Sequence, residues 1–472
     1  MKKRNFTLLV MSILGILAMA RSQGPGESDL VTNLPGLKDP IRFRHYSGYL
    51  NGGSGKNLHY WFVESEKNPE KDPLLLWLNG GPGCSSMEGM LAELGPFQVT
   101  NDGKSINLNP YSWNKIANVI FLESPVGVGF SYSDDGNVVT DDDKVSLQNF
   151  LALQDFFHKF PQFKKNDFYV TGESYAGIYV PTLSERIISS NTSSNFKGFA
   201  IGNGLLSYAS NSESLIFFAY YHGLIGDGVW DALQTHCCQG VPTKESCNFT
   251  VGDNVCQKAV ETVNHIIGDI GLNIYNLYSD CSDSSRQGSA LKYGIDLTNL
   301  LLPFLKLVGK EKTDSLLMAG KYHQHASPPC ISDDALLKYL NGKDVRAALH
   351  ISPKVKKWDI CSQDILLSYG RVYETMEPQF HRLLKHYRGL VYNGDIDMAC
   401  NFLGDEWFVN SLNLQVTNPR KPWYFNNQVA GFVKRFHNLD LLTIKGAGHM
   451  VPEDKPGQAF KMIASFLYGK NY

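Results

Sequence analysis

The stretch "DFYVTGESYAGIYVP", Asp167 to Pro181, decides how the rest of the chain is read. Its first half is aromatic and β-branched, as in a buried strand, and it breaks at Gly172, Glu173 and Ser174 before residues that suit a helix start. A serine set between small residues on such a strand-to-helix turn is held out at the end of the sheet. The stretch departs from G-x-S-x-G at Ala176, which is still small enough for the two backbones to approach. Glu173 is harder to place, because a carboxylate directly before the serine opposes any negative charge that builds up on a reacting group there.

Outward from this turn, short apolar runs recur in "PLLLWLNGGPG", "ANVIFLESP", "FKGFAIGNG", "GLVYNGDID" and "DLLTIKGAGH". Each has the length of a buried strand, lacks polar alternation and ends in a turn, as in a sheet covered on both faces. Between two of them, "DKVSLQNFLALQDFFHKF" carries Val145, Leu147, Phe150, Leu151, Leu153, Phe156, Phe157 and Phe160, a broad helical stripe that Pro161 ends. Strand, helix and strand in this order predict an α/β fold with a mostly parallel central sheet. The region from roughly Leu206 to Cys330 breaks the rhythm and reads as a cap inserted into one core. The expected division is residues 1–22 as signal peptide, 23–206 and 330–472 as the two halves of the core, and 207–329 as the cap. Residues 301–325, "LLPFLKLVGKEKTDSLLMAGKYHQH", mix Lys with small residues as an exposed, cleavable loop would.

The first residues, "MKKRNFTLLVMSILGILAMA", combine a basic start, an apolar run and an A-x-A site, the pattern of a secretory signal. The apolar run is well short of the ~20 residues that span a bilayer. Charged residues make up 19% and aromatic residues 12% of the chain, a globular rather than a disordered composition. No basic run suggests nucleic acid, and no later segment is apolar for long enough to cross a membrane. Nine Cys fit an oxidising route, with eight able to pair and one left over. The spacing of Cys237, Cys238, Cys247 and Cys256 matches no zinc pattern. "NTS" at Asn191 and "NFT" at Asn248 are glycosylation sequons on polar stretches.

An α/β-hydrolase sets out its triad in the order Ser, acid, His, each after a separate strand. Here "LVYNGDIDMACN" offers an acid, Asp395 or Asp397, and "LTIKGAGHMVP" offers His449, both downstream of Ser174. "WLNGGPGCSS" after an earlier strand is a Gly-rich loop whose N–H groups can face an oxyanion, as can the N–H of Tyr175. It lacks the G-K-[ST] of a phosphate-binding loop and the spacing of a dinucleotide site. The fold expected is therefore an α/β-hydrolase with an inserted cap, without a cofactor or a metal.

Together "WLNGGPGCSS", "ESPVGVGFSYS", "TGESYAGIYVP", "YNGDIDMACN" and "IKGAGHMVP" resemble the serine carboxypeptidase family. The resemblance implies a serine-type peptide hydrolase working in acid, with Ser174 as nucleophile, His449 as base and Asp397 as the triad acid. It implies oxyanion donors at the backbone of Gly81 and Tyr175. It assigns Asn79, Gly80, Glu93 and Glu173 to the terminal carboxylate of a peptide. Two ionised glutamates cannot bind a carboxylate, so a proton must be shared among Glu93, Glu173 and the substrate. The resemblance further implies disulfides Cys84–Cys361, Cys237–Cys256, Cys238–Cys247 and Cys281–Cys330, with Cys400 free. It implies a homodimer, a lysosomal destination with secretion as the alternative, and association with lysosomal β-galactosidase and neuraminidase. A protective scaffold role as the main function and acyl transfer on the same fold are the competing readings.

Overall fold

The computed structural model describes residues 24–190, 194–268, 270–281, 328 and 330–472. The expected signal peptide, the sequon at Asn191 and the expected loop at 301–325 lie outside the described residues.

In chain order the strands are β1 His45–Asn51, β2 Lys56–Val63, β3 Leu74–Leu78, β4 Phe97–Val99, β5 Ile106–Leu108, β6 Asn118–Leu122 and β7 Tyr132–Ser133. There follow β8 Phe168–Ser174, β9 Phe196–Gly204, β10 Arg388–Gly394, β11 Val416–Phe425, β12 Gln428–Phe436 and β13 Leu439–Ile444. All but β4 and β5 join one 11-stranded sheet in the order β1-β2-β6-β3-β8-β9-β10-β13-β12-β11, with β7 paired to β2. Pairing is parallel from β6 through β13. It is antiparallel at both margins.

The central strands are largely apolar, and β3 is so throughout, because both faces are covered. In β3, Leu74, Leu76 and Leu78 belong to one core, while Leu75 and Trp77 belong to the core on the opposite face. The first core is closed by the helix Asp142–Lys159, whose Asp141 cap accepts from the Lys144 N–H at 2.9 Å, and by the helix Ala176–Ser189. The helix Pro456–Leu467 lies over the other face through Ala459, Met462, Ile463 and Phe466. The stripe of Asp142–Lys159 is narrower than its sequence suggests. Leu147 is exposed, since it lies two residues, or about 200°, around the helix from Val145.

Between β9 and β10 the helices Tyr208–Tyr221, Asp227–Cys237 and Asn254–Gly268 form a third apolar cluster that takes in Met398. The segment after them reaches the loops that follow β10 and β13. The carbonyl of Ile274 accepts from Met398 N–H at 2.9 Å, and that of Tyr275 accepts from His449 N–H at 2.7 Å. Sulfur pairs join Cys84 to Cys361, Cys237 to Cys256, Cys238 to Cys247 and Cys281 to Cys330, and Cys400 is a buried free thiol. Asn248 is exposed.

One fully buried carboxylate ties the Gly-rich loop after β3 to the sheet. Glu123 accepts from Trp358 Nε1 at 2.8 Å, from Phe130 N–H at 2.8 Å and from the Ser85 hydroxyl, and it pairs with His59 Nδ1 at 2.9 Å. Ser85 adjoins Cys84, so this carboxylate and the Cys84–Cys361 bridge fasten the same loop. Glu123→Ala strands four donors in a dry site and is expected to cost about 3–5 kcal/mol. A lower urea midpoint at unchanged slope checks this; an unaltered midpoint would contradict it.

Candidate active site

Ser174 ends β8 with φ 63°, the left-handed conformation that a non-glycine residue adopts only under constraint. The constraint is visible in its neighbours. A Cβ on Gly172 would lie 2.7 Å from the Ala176 Cβ, and one on Gly177 would lie 2.5 Å from Leu205 N, just after β9. Only small residues let β8 and the helix Ala176–Ser189 approach this closely. Gly80, from the loop after β3, packs against the same turn; a Cβ there would meet Tyr175 N at 2.3 Å. The loop carrying Gly80 and Gly81 and the serine turn are thus fitted to each other.

The acid and the histidine arrive on separate strands. Asp397 is fully buried after β10, and its Oδ2 lies 2.7 Å from His449 Nδ1, after β13. The same carboxylate accepts from Asn203 Nδ2 at 2.8 Å and from the N–H groups of Ala399 and Cys400 at 2.9 and 3.1 Å. Asp395 turns elsewhere and accepts from Gly446 N–H at 2.6 Å. The structure therefore separates the two acids of "GDID": Asp397 faces the imidazole, and Asp395 ties down the loop before it. The Cys400 thiol contacts Ser174, and burial pushes it well above its usual range.

Beside the serine lies the second group. Asn79 Nδ2 donates to Glu93 Oε1 at 3.0 Å and to Glu173 Oε1 at 2.9 Å. Its carbonyl oxygen accepts from Trp77 Nε1 at 2.7 Å and from Gly89 N–H at 3.3 Å. Glu93 ends a π-helical turn, Gly89–Glu93, in which Leu94 N–H reaches back to the Gly89 carbonyl at 3.0 Å. Burial, then the neighbouring carboxyls of Glu93 and Glu88, push Glu173 well above the ordinary carboxylate range. Burial raises Glu93 as well, against the Asn79 hydrogen bond, and the two carboxyls are hydrogen-bonded to each other. A pair so placed keeps a proton between them.

A model of the serine carboxypeptidase family matches residues 35–469. The mouse lysosomal protective protein is 46% identical over 461 residues, covering 96% of this chain and 96% of the relative. The chain belongs to the serine carboxypeptidase family. Serine carboxypeptidase ctsa-4.1 of Caenorhabditis elegans is 42% identical over 458 residues, covering 94% of each chain. The solved structure of the prohormone-processing carboxypeptidase Kex1 from Saccharomyces cerevisiae shares the fold, with a TM-score of 0.70 at 23% identity, covering 94% of this chain and 96% of that one.

In this carboxypeptidase several site neighbours escape the sequence reading. Asn203, at φ 40°, holds Asp397 by its amide and accepts from Gly394 N–H at 2.9 Å, so it sets both sides of the acid loop. The "GNG" at the end of β9 is the signal that could have found it. Trp77 orients Asn79 and sits in the quoted "WLNGG". Glu88 adds a further buried acid, pushed well up by burial and by Glu93 and Glu453. Nothing in its spacing marks it.

Asn203→Ala removes a hydrogen bond to a buried carboxylate, worth about 1.5–3 kcal/mol, and is expected to lower kcat roughly 10- to 100-fold in steady-state assays. An unchanged kcat would refute this. Stability has its own pH signature. Burial pushes Asp405 up to about 8, and Glu88, Glu93 and Glu173 are raised too. Between the ordinary carboxylate range near pH 4 and about pH 8, the folded chain thus holds on Asp405 a proton that the unfolded chain has lost, and the raised glutamates act in the same direction. Stability falls as pH rises through this window, by up to about 1.4 kcal/mol per pH unit for Asp405. Tm should drop from pH 5 to pH 8, and a rising Tm would contradict the account.

Proposed function

We propose that the chain is an acid serine carboxypeptidase that releases C-terminal amino acids from peptides through an acyl-enzyme intermediate. The observation that carries the proposal is Asn79, which spends both amide hydrogens on two buried glutamates, one of them the residue before Ser174. An enzyme that cuts within chains has no use for such a group. A group that must accept an anion yet is built from acids works only while it is protonated, and so it selects both a chain end and a low pH.

In this mechanism Ser174 Oγ attacks the last peptide carbonyl while His449 takes its proton, and Asp397 holds the imidazole and balances its charge. Backbone N–H groups of Gly81 and Tyr175 receive the oxyanion. The C–N bond breaks as His449 returns the proton to the leaving amine. Water, deprotonated by the same histidine, then cleaves the Ser174 ester. Throughout, Asn79, the Gly80 N–H, Glu93 and Glu173 hold the terminal carboxylate. Glu173 is tolerated beside the nucleophile because it carries or shares a proton, and so it adds little charge at working pH.

We take residues 23–206 and 330–472 as the two halves of the core and 207–329 as the cap, with Asn191 and Asn248 as glycosylation sites. The name of the mouse relative supports a lysosomal destination over secretion and a protective role beside catalysis. The four disulfides fit an oxidising secretory route. Among the described residues no helix is long and apolar enough to cross a membrane. In this reading the protein is a homodimer, and its partners are lysosomal β-galactosidase and neuraminidase.

Glu93→Gln and Glu173→Gln should each weaken binding of free-carboxylate dipeptides at pH 5 and flatten the decline of kcat/KM towards neutrality. An unchanged pH profile in both variants would sink the proposal. Ser174→Ala should abolish hydrolysis; if it also abolishes stabilisation of a co-expressed glycosidase, the protective role is not separate from catalysis.

A further inference from the structure

Glu173, Gly202 and Tyr392 occupy one rung of the sheet, paired across β8, β9 and β10. Gly202 has no side chain, and the phenol of Tyr392 fills the space left over it. A Cβ on Gly202 would lie 2.4 Å from Tyr392 Cζ and 2.5 Å from its Oη. The ring is therefore carried sideways along the rung, off its own strand and towards β8. Tyr392 is 1% exposed, and its hydroxyl is buried without a hydrogen-bond partner among the described residues.

Several buried or partly buried phenols elsewhere in the fold use their hydroxyls, while those of Tyr179 and Tyr208 are, like that of Tyr392, without a partner among the described residues. Tyr60 donates to Asp29 at 2.7 Å, Tyr369 to Asp142 at 2.8 Å and Tyr339 to the Pro35 carbonyl at 2.7 Å. A buried donor left idle costs free energy, and phenylalanine would fill the same volume without that cost. The charged groups that bear on Tyr392 are Glu173 first and Glu93 second. Glu93 Oε2 is likewise buried without a donor among the described residues. The rung thus aims an idle donor towards the strand of Glu173, beside the group assigned to the substrate carboxylate, and the hydroxyl makes no hydrogen bond to either carboxyl in this structure.

We propose that Tyr392 is a positioning residue for the glutamate pair: carried over Gly202 towards Glu173, its free hydroxyl turns to donate to a carboxylate of the pair once that carboxylate is ionised, and so sets how readily the pair gives up its proton. The inference rests on the carboxylate-binding reading of Glu93 and Glu173 given above. The other groups facing the pair are Asn79, His449 and Asp454 around Glu93, and Glu88, Glu453 and the Cys400 thiol around Glu173. Of these, Glu88, Glu453 and Asp454 oppose ionisation. Tyr392 is placed to favour it from the sheet side.

The sign follows from hydrogen bonding to the charged form. A donor stabilises the ionised pair and lets the proton leave at lower pH, so removing the donor makes the pair hold its proton longer. Tyr392→Phe keeps the ring and removes only the hydroxyl. The test measures kcat and KM for a blocked dipeptide with a free carboxylate, and for its C-terminal amide, from pH 4 to pH 8. Wild type, Tyr392→Phe and Glu173→Gln are compared.

The expected result is that the alkaline limb of kcat/KM for the free acid moves up by about one pH unit in Tyr392→Phe, carried by KM, while the amide profile keeps its position. If the free-acid profile of Tyr392→Phe superimposes on wild type while Glu173→Gln alters it, the inference about Tyr392 is overturned and the pair stands. If both substrates fall equally in Tyr392→Phe with neither profile shifted, the tyrosine is structural only and the inference is again overturned. If Glu173→Gln also leaves the free-acid profile unmoved, the carboxylate-binding reading fails, and the inference falls with it.

Discussion

Asn79 can give both amide hydrogens to Glu93 and Glu173 only because Trp77 and Gly89 hold its carbonyl oxygen. That one orientation fixes two acids against each other in a buried site, where two full charges cannot coexist. Much of the surrounding structure serves to keep them there. A Cβ on Gly89 would lie 2.3 Å from Trp77 Nε1 and 2.9 Å from Asn79 Oδ1, so the residue must be glycine. The π-helical turn at Gly89–Glu93 brings the second acid back to the amide. The sheet register does the rest, because Leu78 pairs with Gly172, and the next step along each strand sets Asn79 beside Glu173.

On the proposed reading, the arrangement joins recognition to chemistry at a single turn of the chain. Ser174 is held at φ 63° by the close approach of β8 and the helix after it, and Glu173 precedes it by one residue. A chain end bound by the glutamates would therefore lie beside Ser174, the proposed nucleophile. The Asp397–His449 contact of the proposed triad is anchored separately, through Asn203 on β9 and the backbone after Asp397. A change in the carboxylate group can thus alter binding while the Asp397–His449 contact stays intact. Stability is traded for this: the fold carries Glu88, Glu93, Glu173 and Asp405 as raised acids, and it is more robust in acid than at neutrality.

The parallel sheet was legible in the sequence because its strands are buried on both faces and carry continuous apolar runs ended by Gly, Pro or Asn. The serine turn was legible because Gly172, Ala176 and Gly177 have to be small. The sequence left open which acid of "GDID" meets His449, since neighbouring positions on a turn differ only in direction; the fold shows Asp395 spent on Gly446 N–H. Family resemblance, rather than periodicity, pointed to Glu93, which lies fourteen residues from Asn79 and reaches it only through an irregular helical turn. Asn203 and Tyr392 went unseen because their partners come from other strands, and pairing order across a sheet is not written in local pattern. Leu147 was placed in a buried stripe that the sheet proved too narrow to cover.

The central claim is that a terminal carboxylate binds together with a proton held by the Glu93–Glu173 pair. Calorimetric titration of the inactive Ser174→Ala protein, in buffers of different ionisation enthalpy, counts that proton directly. With a blocked dipeptide at pH 7, the account predicts uptake of about one proton per peptide bound, fading as pH falls to the point where the pair is already protonated, and none for the C-terminal amide. Binding of the free carboxylate at pH 7 with no proton uptake, or with the same uptake as the amide, would contradict it.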